Sequence, residues 1–244
     1  QVAGTRRAVG AGYAHVMGVG GSTLHYVGEA HRMHPNSFAL ESRSGLGADW
    51  PISYDDLEPH YLACETLVGV AGPEEAGARW RSAPYPLPPH PFSPAARVLA
   101  DAGSRLGMGW EANARAALSA PYDGRPPCNY CANCSRGCPI GDKGSADVTF
   151  LRHAAATGNL TLETGAVVTR LIAGKGGRIE AIDYIQDGKT RRQETPVLVL
   201  AAGAVQTPRL LLANASAAQP KGVANGSGQV GRNFMETLLW RSVG

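Results

Sequence analysis

Four cysteines lie within eleven residues of this sequence, and a proline follows the last of them: Cys128, Cys131, Cys134, Cys138 and Pro139. The spacing C-x2-C-x2-C-x3-C-P is typical of ferredoxin-type loops that hold an iron–sulfur cluster through cysteine thiolates. Zinc also binds four-cysteine sites, but structural zinc usually joins two C-x2-C units across a longer gap, so the compact run favours iron–sulfur over zinc. Three ligands would give a [3Fe–4S] cluster and four would give [4Fe–4S], and the spacing leaves both open.

A second stretch suited to chemistry is VMGVGGSTLHY, residues 16–26. Its glycines, Gly18, Gly20 and Gly21, let backbone N–H groups approach a pyrophosphate or a flavin edge, and Ser22 and Thr23 add hydroxyl donors. The same composition also fits a plain turn, and the dinucleotide signature G-x-G-x-x-G is absent from it. An iron–sulfur centre moves single electrons and does not oxidise a metabolite by itself, so a second cofactor is expected.

The composition excludes several classes of function. The 244 residues carry 23 Lys and Arg against 20 Asp and Glu, and the basic residues are scattered, which argues against nucleic-acid binding. No apolar stretch approaches the roughly 18–20 residues of a membrane span. The chain begins with Gln1 rather than Met, so the lack of a leader carries no weight. Five cysteines, four of them clustered, do not form a disulfide framework.

Capping residues and helical periodicity locate the helices that position these loops. Helices are predicted over 53–70, from Ser93-Pro94 to Gly107, from Ser145 to about Thr157, and after Gly203. Cys64 has helical spacing with apolar residues of the first of these, which predicts a buried thiol. The proline-rich stretch 72–93 is predicted to be an extended linker.

Strand signals dominate the last third of the chain. The segments 160–164, 166–173 and 178–185 alternate and are separated by glycine turns, which predicts a β-meander. The apolar run 195–202 predicts a strand covered on both faces. The fold class is therefore a mixed α/β one.

Five segments, in this order, carry a resemblance to a known family: GVGGSTLHY, SGLGADWPISYDDLEPHY, PYDGRPPCNYCANCSRGCPIGDKGSADVTFL, AAGAVQTPRLLLAN and GQVGRNFME. Together they resemble the glucose–methanol–choline (GMC) oxidoreductases, and more narrowly the bacterial FAD-dependent sugar and polyol dehydrogenases. The match covers nearly the whole chain, and the block from PYDGRP to CPIG is its most specific part.

The resemblance implies a Rossmann-like, three-layer FAD-binding fold that lacks its first βαβ turn and carries the cysteine-rich loop as an insertion. The expected organisation is an FAD-binding part (1–52), a helical and proline-rich part of the substrate region (53–120), the iron–sulfur loop (121–144) and a second FAD-binding part (145–244).

The resemblance also implies the cofactor contacts. The cluster ligands of that branch have C-x5-C-x3-C spacing, which falls on Cys128, Cys134 and Cys138 and makes Cys131 an extra thiol that keeps [4Fe–4S] open. His25 lies in the flavin-facing motif, with a packing or hydrogen-bonding role expected. The FAD contacts implied or suggested by the motifs are Gly18, Gly20, Gly21, Ser22, Thr23, His25, Val167, Ala202, Gly203 and Asn233.

The implied activity is oxidation of a hydroxyl group of a sugar, polyol or other alcohol by hydride transfer to FAD. Electrons would leave through the cluster to a cytochrome c-type or external acceptor, with a small accessory subunit as a further partner. Because related complexes face the periplasm, a location in the bacterial periplasm or at the periplasmic face of the inner membrane is expected.

Three departures from the family pattern stand out. The opening GxGxxG turn is expected before Gln1 and the catalytic His after Gly244, so no residue of this chain is assigned to catalysis. Thr237 stands where relatives usually have His. Two alternatives stay open: a non-enzymatic metal-binding or electron-transfer module, and a flavoprotein whose cysteine loop is purely structural.

Overall fold

The computed structural model describes residues 15–74 and 80–234, and the chain divides into two compact units, Gln1–Thr161 and Leu162–Gly244. The predicted mixed α/β class is confirmed, because helices and an antiparallel sheet are both present. The four-part assignment to FAD and substrate regions stays a prediction, and Thr237 lies outside the described residues. No helix within the described ranges has the length and apolar character needed to cross a membrane.

Two helices of the first unit begin where the sequence places their caps. Its α-helices are α1 (Leu40–Ser44), α2 (Tyr54–Val68), α3 (Pro94–Arg105) and α4 (Arg152–Ala156). Ser53 caps α2 reciprocally, since its hydroxyl accepts from the Asp56 N–H (3.2 Å) and its own N–H donates to the Asp56 carboxylate (2.8 Å). The Ser93 hydroxyl caps α3 by accepting from the Ala96 N–H at 3.1 Å.

The helix predicted from Ser145 begins differently. A π-helical turn, Asp147–Leu151, leads into α4, and the buried Ser145 contributes its carbonyl rather than its hydroxyl, accepting a hydrogen bond from Thr149 Oγ1 at 2.7 Å. The side chain of Ser145 therefore caps nothing here, and the wider turn precedes the regular helix.

A buried ion cluster fastens α2 to the segments around Arg32 and Arg81. The Glu65 carboxylate accepts two hydrogen bonds from Arg32 (2.9 and 2.8 Å) and two from Arg81 (2.8 and 2.7 Å). The two guanidinium side chains are only 2% and 0% exposed. Because α2 turns Glu65 inward, Cys64 is exposed, and the prediction of a buried Cys64 thiol was wrong.

Extended segments, rather than a regular sheet, build the core of the first unit. Ala71 forms isolated bridges with Leu87 and Arg115, and Leu87 is buried against Leu118. The described parts of the proline-rich stretch, 72–74 and 80–93, form no helix or strand, and Leu87 anchors the stretch in the core. Ala116 accepts a hydrogen bond from the Gly144 N–H at 2.8 Å, which brings the chain after the cysteines back to the same core.

The second unit is a β-meander with one packed helix. Its strands, β1 (Val167–Ala173), β2 (Ile179–Gln186) and β3 (Lys189–Glu194), pair antiparallel in the order β1-β2-β3. The helix α5 (Gly203–Ala213) packs its Leu210 against Leu171 of β1. The turn between β2 and β3 is Asp187-Gly188, as the sequence predicts, with both residues at positive φ.

Two strand predictions were wrong. Residues 160–164 form no strand, and the apolar run 195–202 forms none either, with Val197 and Val199 74% and 81% exposed. Pairing between β2 and β3 begins directly after the Asp187-Gly188 turn, where Lys189 lies opposite Gln186. The polar segment after the turn therefore becomes the third strand. The apolar run finds no partner strand among the described residues, and a strand cannot form without one.

Candidate functional site

The glycine loop, residues 18–26, has a conformation that requires glycine. Gly20 has φ +96°, and a Cβ there would lie 2.9 Å from Leu24 Cδ2. Thr23 Oγ1 donates to the Gly20 carbonyl at 2.5 Å and accepts from the Ala146 N–H at 2.9 Å. Gly21 is also at positive φ, and a Cβ added there would meet no atom of the described chain within 4 Å. The two hydrogen bonds of Thr23 therefore fix the loop on the side of Ala146, and the loop is open at Gly21.

Two buried polar atoms at this loop have no hydrogen-bond partner within the described part of the chain. They are His25 Nε2 and Asp147 Oδ1. Asp147 adjoins the loop directly, since a Cβ on Gly20 would lie 3.4 Å from its Cβ. A buried polar atom without a partner costs free energy, and a polar ligand at the loop would remove that cost.

The cysteine loop, Cys128–Cys138, is shaped by left-handed residues. Tyr130 and Ala132 have φ of 57° and 58°, which tightly folds the backbone between the thiols. Backbone N–H groups point at two of the sulfurs: the Tyr130 N–H lies 3.4 Å from Cys128 Sγ and the Lys143 N–H lies 3.5 Å from Cys138 Sγ. Cys138 Sγ also donates to the Asp142 carboxylate.

All four thiols line one cavity of about 630 Å³. Its wall also includes His90, whose Nδ1 lies 3.1 Å from the Tyr130 hydroxyl and whose Nε2 lies 2.8 Å from the Ala117 carbonyl oxygen. Because His90 links the cysteine loop to the core in this way, its ring is a structural part of the wall. The cysteine and carboxylate residues that line the cavity are Cys128, Cys131, Cys134, Cys138, Glu111 and Asp142.

The thiols are not arranged around a single point. Among residues 15–74 and 80–234, no three His, Cys, Asp or Glu side chains are close enough to hold one metal ion. Burial raises the pKa of the Cys128 thiol to about 11, so this thiol is protonated near neutral pH when no metal is bound. The loop therefore places all four thiols along one cavity, but it does not bring three of them close enough to bind a single metal ion.

The remaining predicted contacts lie in the second unit. Val167 is the first residue of β1 and is about half exposed. Ala202 precedes α5 and its N–H donates to Thr207 Oγ1 at 3.1 Å, while Gly203 has φ +88°. Asn233 has φ +58° and donates to Gln229 at 3.0 Å. Their contact with FAD stays a prediction.

The structure brings the glycine loop and the cysteine loop together, because the short helical turns Gly21–Leu24 and Cys134–Arg136 contact each other. Sequence reasoning missed two residues at this junction, Asp147 and Lys143. The segment GDKGSAD contains both, but no spacing in it distinguishes a buried polar residue from an exposed one.

The first unit of this mixed α/β chain therefore packs a glycine-rich loop against a four-cysteine loop. A family model for GMC oxidoreductase matches residues 87–238, more than half of the chain. The chain therefore belongs to the GMC oxidoreductase family, and the predicted family is confirmed.

Individual relatives extend the match to nearly the whole chain. The fructose dehydrogenase large subunit of Gluconobacter japonicus is 36% identical over 225 residues, covering 91% of this chain. The 6'''-hydroxyparomomycin C oxidase of Streptomyces lividus is 36% identical over 226 residues, covering 90%. The 2-methyl-1,2-propanediol dehydrogenase of Mycolicibacterium austroafricanum is 32% identical over 232 residues, covering 91%. The chain spans 41% of the length of each of these relatives.

Proposed function

We propose that this chain is part of an FAD-dependent oxidoreductase, in which the glycine loop contacts the flavin and the cysteine loop carries electrons away from it. The substrate is a hydroxyl group of a sugar, polyol or other alcohol, and electrons leave through an iron–sulfur cluster to a cytochrome c-type or external acceptor. The observation that carries the proposal is the packing of the glycine loop, with its unpartnered buried polar atoms, against the loop of four cysteines. The relatives support the substrate class, since their names include fructose and a diol.

The residues at the glycine loop fit FAD. The backbone at Gly21 leaves open space, since an added Cβ there would meet no described atom within 4 Å, and His25 Nε2 and Asp147 Oδ1 are polar groups that a ligand can satisfy. FAD held there would supply the acceptor for a hydride from the carbon that bears the substrate hydroxyl. The loop residues bind and orient, and no side chain of this chain is assigned to remove the hydroxyl proton.

The residues of the cysteine loop fit a cluster better than a single ion. In a [3Fe–4S] or [4Fe–4S] cluster each thiolate binds a different iron atom, so the sulfurs need not converge on one point. Backbone N–H groups directed at Cys128 Sγ and Cys138 Sγ are the hydrogen bonds that stabilise negative sulfur. We assign Cys128, Cys134 and Cys138 as the ligands and [3Fe–4S] as the cluster, with Cys131 outside the ligand set.

One observation favours a second candidate, a flavoprotein with a structural cysteine loop. The loop is already held by protein contacts alone, through the bond from Cys138 to Asp142 and the bond from His90 to Tyr130. A loop held in this way does not need a metal in order to fold. The two candidates differ in whether sulfide and iron are present.

Anaerobic reconstitution of the chain with FAD, iron and sulfide tests the proposal. We expect bound iron and sulfide, a cluster EPR signal, and flavin fluorescence released on denaturation. Gly20→Ala should lose the flavin and keep the iron, because its Cβ would contact Leu24 in a strained conformation. Gly109→Ala, outside the glycine loop and with no atom within 4 Å of the added Cβ, should keep both.

The other outcomes separate the alternatives. Flavin without iron or sulfide would establish the structural cysteine loop, and iron without flavin would establish a metal or electron-transfer module. Stoichiometric zinc without sulfide would contradict the electron-exit role. The accessory subunit and the periplasmic location stay predictions that this experiment does not address.

A further inference from the structure

A buried lysine joins the two loops of the site. Lys143 is 1% exposed, and its Nζ donates hydrogen bonds to three carbonyl oxygens: Leu24 at 2.8 Å, Tyr26 at 2.9 Å and Cys134 at 2.7 Å. A protonated lysine has three donors, and all three are used. The ammonium group is therefore fully satisfied without a carboxylate partner.

The three acceptors belong to both loops of the site. Leu24 and Tyr26 are in the glycine loop, more than a hundred residues before Lys143 in the chain, while Cys134 is in the cysteine loop. One side chain thus fixes both backbones at a common point. The Tyr26 hydroxyl adds a second tie by donating to the Gly144 carbonyl at 2.9 Å.

Lys143 lies directly beside two of the cysteines assigned to the cluster. Its Nζ is 2.7 Å from the Cys134 carbonyl oxygen, and its backbone N–H lies 3.5 Å from Cys138 Sγ. Burying a cation costs desolvation free energy, and a neutral side chain could fill the same space. A buried positive charge at this position therefore calls for a functional explanation. Metal-bound cysteines are thiolates, and a cation fixed beside them offsets their charge.

We infer that Lys143 is a positioning residue that links the glycine loop to the cysteine loop and places a fixed positive charge beside the iron–sulfur cluster. The inference rests on the proposed function for the identity of the two cofactors. A reduced cluster carries one more negative charge than an oxidised one, so a nearby cation stabilises the reduced form. Lys143 therefore raises the midpoint potential of the cluster and makes it a better acceptor for electrons from the flavin.

Lys143→Met tests both the link between the two loops and the effect on the cluster potential. Methionine keeps much of the length of the lysine side chain but removes its charge and its hydrogen-bond donors. In the reconstituted chain, EPR-monitored redox titration should show a midpoint potential shifted to a more negative value. In the chain without cofactors, hydrogen exchange should become faster in residues 20–26 and 133–138 together. Lys189→Met, at an exposed position of β3, should change neither measurement.

Lys143→Arg keeps the test decisive if the methionine variant does not fold. Its planar guanidinium cannot direct three donors at the same three carbonyls, so exchange in both loops should again be faster, while the potential stays near that of the unsubstituted chain. Unchanged exchange in both loops, or a cluster potential unchanged in Lys143→Met, would overturn the inference. An unsubstituted chain that binds no iron and sulfide would instead defeat the proposed function.

Discussion

Glu65→Gln is expected to destabilise the first unit by about 3–5 kcal/mol, a large share of the free energy of unfolding of a typical domain. The Glu65 carboxylate accepts paired hydrogen bonds from Arg32 and from Arg81, and both guanidinium groups are almost fully buried. An amide has the same shape but no charge and only one acceptor oxygen, so the buried Arg81 would lose the carboxylate that pairs with it, while Arg32 would keep its pairing with Glu58. Urea denaturation followed by tryptophan fluorescence measures the loss.

The same substitution should alter the dependence of stability on pH. Burial by itself would raise the pKa of Glu65, but hydrogen bonds from Arg32 and Arg81 outweigh burial and lower the pKa below its ordinary value of 4.5. The unfolded chain therefore binds the proton more readily. The stabilisation from Glu65 is complete above about pH 4.5 and is lost as the pH falls through the lower pKa of the folded chain.

Asp55→Asn is the matched control for this prediction. Asp55 lies on the same helix and the change from carboxylate to amide is the same, but the side chain is exposed and the cost should stay below about 1 kcal/mol. Equal losses in the two variants, or an unchanged acid dependence in Glu65→Gln, would show that the ion cluster does not stabilise the unit.

Local signals predicted the helices better than the strands. The starts of α2 and α3 are set by Ser53 and Ser93 within a few residues of the helix itself, so the sequence contains the whole cause. A strand depends on its partner instead. The polar β3 forms because a two-residue turn places it beside β2, while the more apolar run 195–202 stays without a partner in the described chain.

At the candidate site, too, features set by local sequence were predictable and features that depend on distant partners were not. The glycine and cysteine loops were predictable, because left-handed backbone and dense thiols each leave a local pattern of residues. Lys143 and Glu65 were not predictable, because charged residues are normally exposed and their burial here depends on partners far away in sequence. Lys143 meets Leu24, and Glu65 meets Arg32, only after the chain has folded.

Cys134→Ser is expected to abolish the cluster, with nearly complete loss of bound iron, sulfide and EPR signal. A serine hydroxyl is a poor substitute for a soft thiolate ligand of iron, and the change leaves the Cys134 carbonyl free to keep its bond to Lys143. Loss of the cluster would therefore not come from release of the glycine loop. Iron and sulfide analysis after anaerobic reconstitution gives the measurement, and electron delivery to an artificial acceptor should fall with it.

Two cysteine controls turn this substitution into a test of the ligand set. Cys64→Ser, at an exposed position of α2, should keep full iron and sulfide content. Cys131→Ser should keep them too if three cysteines bind a [3Fe–4S] cluster, because Cys131 is then an exposed fourth thiol on the same cavity. Loss of iron in Cys131→Ser as well as in Cys134→Ser would replace the three-ligand assignment by [4Fe–4S]. A Cys134→Ser chain that retains its cluster and its electron delivery would contradict the assignment of Cys134 as a ligand, because the cluster would then not depend on that sulfur.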